Sequence, residues 1–197
     1  VLKELFLYDK RHGWRKPYNY GNLFSNEQKR LLENSDINFL YDSSYFRDID
    51  LDEDNLSNKL GKIFDSYAFY MTHMKALVIN VTSEKITFIN EDFDLGSITW
   101  REEYDWAREQ ISINELGPKP SSFNQILSFG DFIYLKVNDD SYIFDQIPNI
   151  ESSLISINPN SGEVIAYVGG KNFNESNFDR VRLSFPQSGS SFKPFIY

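Results

Sequence analysis

Lys75-Ala-Leu-Val-Ile-Asn-Val-Thr-Ser-Glu-Lys-Ile-Thr-Phe-Ile89 is the stretch on which the fold turns. Leu77, Ile79 and Val81 recur at every second residue, and Ile86 and Phe88 resume the pattern after Ser83-Glu84. A period of two sends alternate side chains to opposite faces of an extended chain, so this segment is predicted to be a β-hairpin. Further along, Ser97 to Trp100 reads as a third strand, followed by a helical turn around Tyr104 to Ala107. Gly117-Pro118-Lys119-Pro120 is a loop. Asp131–Val137 and Ser141–Phe144 form a second hairpin across Asn138-Asp139-Asp140. Several short strands close together predict a small barrel or an open antiparallel sheet.

Upstream the period changes to that of a helix. Leu60, Ile63, Phe64, Tyr67 and Met71 share one helical face, predicting a helix from Ser57 to about Met71 with a core-packing stripe. A shorter helix starts near Ser25, where Ser25 and Gln28 have capping-box spacing and Leu31 and Leu32 offer an apolar contact. Val1 to Pro17 reads as the end of a helix with an irregular exit, and it concentrates Lys10, Arg11, Arg15 and Lys16. Tyr41 to Asn55 is a polar, acidic connection. Asp48, Asp50, Asp52 and Asp54 alternate there, but a calcium loop counted from Asp48 needs Gly and Glu where Glu53 and Lys59 stand. A solvated loop is the expectation.

Downstream the character shifts at Pro148-Asn149. Ser152–Ile157 and Glu163–Val168 are two strands around the tight-turn sequence Asn158-Pro159-Asn160-Ser161-Gly162. A boundary is therefore expected near residue 150. No internal repeat or low-complexity tract is present.

Composition narrows the chemistry. The chain has 197 residues, 41 % hydrophobic and 25 % charged, enough for a packed core. Aromatics reach 16 %, which favours a sheet-rich fold. A net charge of −9 argues against nucleic acid, which requires a cationic face, and against a polybasic membrane anchor. With no cysteine, disulfides, thiolate zinc sites and cysteine nucleophiles are excluded. His12 and His73 are the only histidines and stand in different elements, so neither a metal centre nor a Ser-His-Asp triad is expected, and no cofactor is. No apolar run reaches the roughly 18 residues of a membrane span. The chain begins at Val1, not Met, and reads as a piece of something longer.

The segment with catalytic potential is Gln187-Ser188-Gly189-Ser190-Ser191-Phe192-Lys193-Pro194-Phe195. Ser190 and Lys193 form Ser-x-x-Lys, and residues three apart on a helix share a face. A neutral lysine amine there can take the serine proton and leave an alkoxide-like nucleophile. The helix start adds free N–H groups that can stabilise an oxyanion. Taken alone the pattern is weak, since roughly one chance occurrence is expected in such a chain. Gly189 permits a sharp turn before Ser190, and Pro194 is tolerated in a first helical turn. Both place Ser190 at an exposed helix start. The competing reading is a serine-capped helix with an exposed lysine.

With these residues in view, the chain resembles the class A penicillin-binding proteins of the Gram-negative type 1a. Tyr8-Asp9-Lys10-Arg11-His12-Gly13-Trp14-Arg15-Lys16-Pro17 is similar to the family's segment leading out of the first transpeptidase helix. Trp106-Ala107-Arg108 and Gly117-Pro118-Lys119-Pro120 match landmarks of its OB-like insert. Ile147-Pro148 through Gly170 resembles the first transpeptidase strands. Phe178-Asp179-Arg180, Gln187 and Gly189 to Phe195 match the approach to the nucleophile. The departures are Asp179 for a usual Asn, Pro186 for a common Arg and Ser188 for a common Pro or Val.

The resemblance implies an α+β chain: a small antiparallel OB-like domain inserted near the start of a truncated serine transpeptidase domain of the penicillin-binding, β-lactamase-like kind. Residues 1–17 would lead in, 18–149 would be the accessory domain, and 150–197 would hold the first transpeptidase strands and the start of the nucleophile helix. Ser190 would be acylated by a D-Ala-D-Ala stem peptide or a β-lactam, with Lys193 as general base. The family's Ser-x-Asn and Lys-Thr-Gly motifs would follow Tyr197. Its glycosyltransferase domain, which polymerises lipid II, and its inner-membrane helix would precede Val1. This portion would then be periplasmic, and the isolated chain inactive. An outer-membrane lipoprotein activator would dock on residues 18–149. Two other classes compete: a non-catalytic docking module, and an OB barrel with a glycan groove.

Overall fold

The computed structural model describes residues 2–33, 56–138, 141–185 and 189–196. The calcium-like stretch from Asp48 to Asp54 lies outside them, as do Pro186 and Ser188. The chain divides into two compact units: Phe6–Asn149, and Val1–Leu5 together with Ile150–Tyr197. Phe6 to Pro17 thus groups with 18–149, although residues 1–17 were expected to stand apart as a lead-in.

The larger unit is built on a five-stranded antiparallel sheet. Its strands are β1 (His73–Val81), β2 (Lys85–Asn90), β3 (Leu95–Thr99), β6 (Phe132–Asn138) and β7 (Ser141–Asp145). They run in the order β3-β2-β1-β6-β7, and the edge strands β3 and β7 approach within 8 Å between Cα atoms, curling the sheet toward a barrel. The pair β4 (Gln110–Ser112) and β5 (Glu115–Leu116) makes a separate small hairpin.

β1 lies at the centre of the sheet and is buried on both faces. Ala76 and Val78 join Ile86, Phe88, Ile133, Leu135 and Phe144 in one core. Leu77 and Ile79 join Ile89 and Phe132 in a second core, under the helices α2 (Asn26–Glu33) and α3 (Leu56–Asp65). The alternation seen in the sequence therefore sorts residues between two cores, where one core and one wet face would have left Ala76 and Val78 exposed. A bulge between Val78 and Asn80 shifts the phase, so that Val81 packs with the Ala76 face instead of the Leu77 face.

The capping box at α2 is formed: Gln28 N donates to Ser25 Oγ at 3.2 Å and Ser25 N to Gln28 Oε1 at 3.0 Å. Of its two leucines only Leu32 is buried. α3 is shorter than the expected helix to Met71. Its last carbonyls are taken early, Ile63 O by the Ser66 hydroxyl at 2.7 Å and Phe64 O by Lys75 Nζ at 3.0 Å. The chain then leaves the helix, Tyr67 stacks flat on Phe132, and Met71 is 92 % exposed.

In the smaller unit β8 (Leu154–Ile157) and β9 (Val164–Val168) pair as an antiparallel hairpin. Every residue of both strands is exposed, including Ile155, Ile157, Val164, Ile165 and Tyr167. A run such as Val-Ile-Ala-Tyr-Val has the composition of a strand covered on both faces.

Candidate functional site

Gly189–Phe195 forms a 3-10 helix carrying Ser190 and Lys193. Such a helix has three residues per turn, so side chains three apart eclipse and these two project from one side. Gly189 enters it with φ +48°, the left-handed region that a side chain disfavours. Both Ser190 and Lys193 are exposed, and no hydrogen bond joins them. Pro194 lies in the second three-residue turn, not in the first as expected. The tight pitch is the reason: two turns are complete within seven residues.

The approach to this helix is held by charge. Asp179 caps the short helix α4 (Arg180–Leu183), its Oδ1 accepting from Val181 N at 3.1 Å and Arg182 N at 3.3 Å. Its other oxygen accepts the Tyr167 hydroxyl from β9. The Tyr167 hydrogen bond and the backbone donors outweigh desolvation and hold the Asp179 carboxyl below its ordinary range. Lys171 is buried between Glu175 at 3.0 Å and Glu151 at 3.6 Å, and Arg180 reaches Glu151 at 3.5 Å. Asp179, a departure from the resembled family, therefore has three donors to satisfy. An asparagine would offer them only one oxygen.

A second constellation, not foreseen from the sequence, joins the two ends of the larger unit. Asp9 on α1 (Leu2–Arg11) is buried and receives both Arg15 guanidinium nitrogens at 2.8 Å. It also accepts from Gln146 Nε2 at 2.8 Å and from Asn149 N at 3.2 Å. Arg15 donates onward to Ile147 O at 2.7 Å, and Gln146 Nε2 to Gly13 O at 2.8 Å. Gly13 has φ +88°, and a Cβ there would sit 2.6 Å from Arg108 O. The Trp14 ring after it enters the core.

Beside this latch Asp145 pairs with Lys10 at 3.0 Å and faces His73 Nε2 at 3.5 Å. Burial alone would push the Asp145 carboxyl up. His73 and Lys10 outweigh burial and hold it below the ordinary carboxylate range. His73 is buried and stacked on Phe6, whereas His12 directly follows α1 with its Nδ1 against Tyr8 O. The two histidines are thus separate structural groups.

Residues 46–150 match the family model "Penicillin-binding protein OB-like domain", more than half of the chain. The chain belongs to this family. It is 32 % identical to penicillin-binding protein 1A of Escherichia coli over 141 residues, 72 % of this chain and 16 % of that protein. It is 37 % identical to penicillin-binding protein 1A of Pseudomonas aeruginosa over 123 residues, 62 % of this chain and 15 % of that protein. The Rickettsia typhi penicillin-binding protein 1A aligns with all of the chain at 29 % identity, over 20 % of its own length. The chain therefore spans only about a fifth or less of the curated relatives it matches. The crystal structure of penicillin-binding protein 1A from Haemophilus influenzae superposes with a TM-score of 0.62 at 22 % identity, over 100 % of this chain and 23 % of that one. The antiparallel sheet of the larger unit is thus the OB-like fold of penicillin-binding proteins. Among the described residues no helix is long and apolar enough to cross a membrane.

Proposed function

We propose that this chain is part of a peptidoglycan synthase, comprising its OB-like accessory domain and the first edge of its transpeptidase domain. The observation that carries the catalytic half is the placement of Ser190 and Lys193 one turn apart on an exposed 3-10 helix entered through Gly189. The uncovered β8–β9 hairpin supports it, because strands that are apolar on both faces call for neighbours on both faces. In the longer protein the Lys193 amine takes the Ser190 proton as Oγ attacks the penultimate D-alanine carbonyl of a stem peptide. The tetrahedral adduct collapses, the C–N bond breaks, and the terminal D-alanine leaves with the proton on its amine. The amine of a neighbouring stem then attacks the ester and releases Ser190. A β-lactam acylates the same oxygen and stays. Glycan polymerisation from lipid II belongs to a domain outside this chain. The protein sits in the inner membrane of a Gram-negative bacterium with this portion in the periplasm.

The test is intact mass of the longer protein after benzylpenicillin, beside Ser190→Ala. One adduct that disappears in the variant is the expected result. No adduct on folded protein would refute the catalytic half.

A second reading concerns the larger unit as a docking module for an outer-membrane lipoprotein activator. The latch at its ends favours it, since it makes Phe6–Asn149 a self-contained body. Deleting residues 18–149 from the longer protein should abolish activator binding and leave penicillin acylation.

A further inference from the structure

Between the C-terminal end of α3 and the β2–β3 turn lies a cleft of about 470 Å³. Phe64, Phe69 and Phe93 line it with aromatic surface, and Asp65, Glu91 and Asp92 bring carboxylates to it. Among the described residues lining it Lys75 is the one cation, and it is already engaged by Phe64 O at 3.0 Å and Glu91 Oε2 at 3.3 Å. Asp65 and Asp92 are exposed, and among the described residues neither carboxylate has an ion pair. Among the described lining residues, three carboxylates against one ammonium give a formal charge of −2.

The aromatic wall is placed at a cost. Phe93 has φ +64°, the one such non-glycine among the described residues. A bulky side chain rarely adopts that conformation unless its surroundings impose it. Here Asn90 does so: its carbonyl accepts Phe93 N at 3.0 Å, and its Oδ1 accepts Asp92 N at 3.0 Å and Asp94 N at 2.7 Å. The turn sets the Phe93 ring edge-on to Phe64 at 6.4 Å and places Asp92 in the lining of the same opening. Phe69, half exposed, borders the opening as well.

Aromatic rings beside unpaired carboxylates suit a guanidinium: its flat face stacks on a ring, and its N–H groups fork onto oxygens. A phosphate or carboxylate ligand would meet net negative charge. We propose that this cleft seats an arginine side chain presented by a partner protein. The proposal deepens the docking reading above and rests on it for there being a partner. The cleft's preference for a guanidinium is tested without that partner.

The experiment titrates the ¹⁵N-labelled 197-residue chain with the peptide acetyl-Gly-Arg-Gly-amide, with its citrulline analogue and with spermidine. Expected are saturable shifts of the Gly61, Lys75, Glu91 and Phe93 amides with the arginine peptide and none with citrulline. The double variant Asp65→Asn/Asp92→Asn should weaken binding at least about tenfold, the loss of one good charge contact. Three outcomes overturn the proposal. They are equal shifts with citrulline, shifts spread evenly over the acidic surface, and binding unchanged in the double variant. Spermidine moving the same amides as strongly as the peptide would also overturn it, in favour of a free amine. Failure of the docking reading shows elsewhere, as activator binding that survives deletion of residues 18–149.

Discussion

Replacing Asp9 tests the latch most directly. The side chain is 3 % exposed and accepts four hydrogen bonds, two of them charge-assisted from Arg15. Asp9→Ala removes all four and leaves a guanidinium with only Ile147 O and limited water, its side chain 27 % exposed. Breaking a buried ion pair from one side typically costs about 3–5 kcal/mol. The partial exposure of Arg15 points to the lower end, about 3 kcal/mol, or a fall in Tm of about 10 °C. Asp9→Asn keeps the shape but turns an NH₂ toward donors, so it should lose about 2 kcal/mol. Urea unfolding followed by tryptophan fluorescence reads this unit alone, because Trp14, Trp100 and Trp106 all lie within Phe6–Asn149. Lys119→Ala is the control: its pair with Asp105 is open to solvent and should be worth less than about 0.5 kcal/mol. If Asp9→Ala unfolds within about 1 kcal/mol of wild type, the reasoning fails.

Gly13→Ala combines a left-handed φ with a 2.6 Å approach to Arg108 O, so it should destabilise the same unit by about 1–3 kcal/mol in the urea assay. Asp145 gives a pH signature. Its folded pKa is lowered, so its contribution is present above the unfolded carboxylate value and is lost as pH falls through the folded one. Wild type should therefore exceed Asp145→Asn in stability most at neutral pH, with the gap closing below about pH 4, and a gap constant across pH would refute the assignment. Asp131 works in the opposite sense, since burial raises its carboxyl despite Asn19 and Ser128, so Asp131→Asn should gain relative to wild type as pH rises. In amide exchange the exposed β8–β9 hairpin should be poorly protected beside β1 and β6, and strong protection from Ser152 to Val168 in the isolated chain would contradict this.

The sheet was legible because its signal is local. Period-two apolar residues on β1 and β2, and on β6 and β7, mark hairpins whatever else the chain does. What the period could not say is that both faces are covered: Ala76 is small enough to read as a solvent-side residue, yet it is fully buried. The helix ending at Asp65 was over-extended because Tyr67 and Met71 keep the spacing, while the terminating contact comes from Lys75 on another element. β4 and β5 were missed because they are three and two residues long and leave Ile111 and Ile113 exposed. The Ser190–Lys193 spacing could be read directly, whereas the Asp9 latch could not. It joins residues 137 and 140 positions apart, and only the fold brings them together.

That separation also says what kind of module the larger unit is. Asn149 N donates to Asp9 Oδ1, so a body of more than a hundred residues begins and ends at one point. Gln146, bonded to Asp9 and Gly13 O, and Arg15, bonded to Asp9 and Ile147 O, tie the incoming and outgoing chains together twice more. An insert with adjoining ends can enter a surface loop of a host domain without prying the loop apart. Its own stability then depends on the latch and on its two cores, not on what flanks it. Cutting the latch should therefore loosen the unit as a whole before it alters the chemistry proposed for Ser190. On the proposed docking and catalytic readings, an Asp9→Ala form of the longer protein is expected to lose activator binding at a temperature where benzylpenicillin still acylates Ser190. Parallel loss of both at every temperature would show that the OB-like unit is a structural support of the catalytic domain, not a separable module.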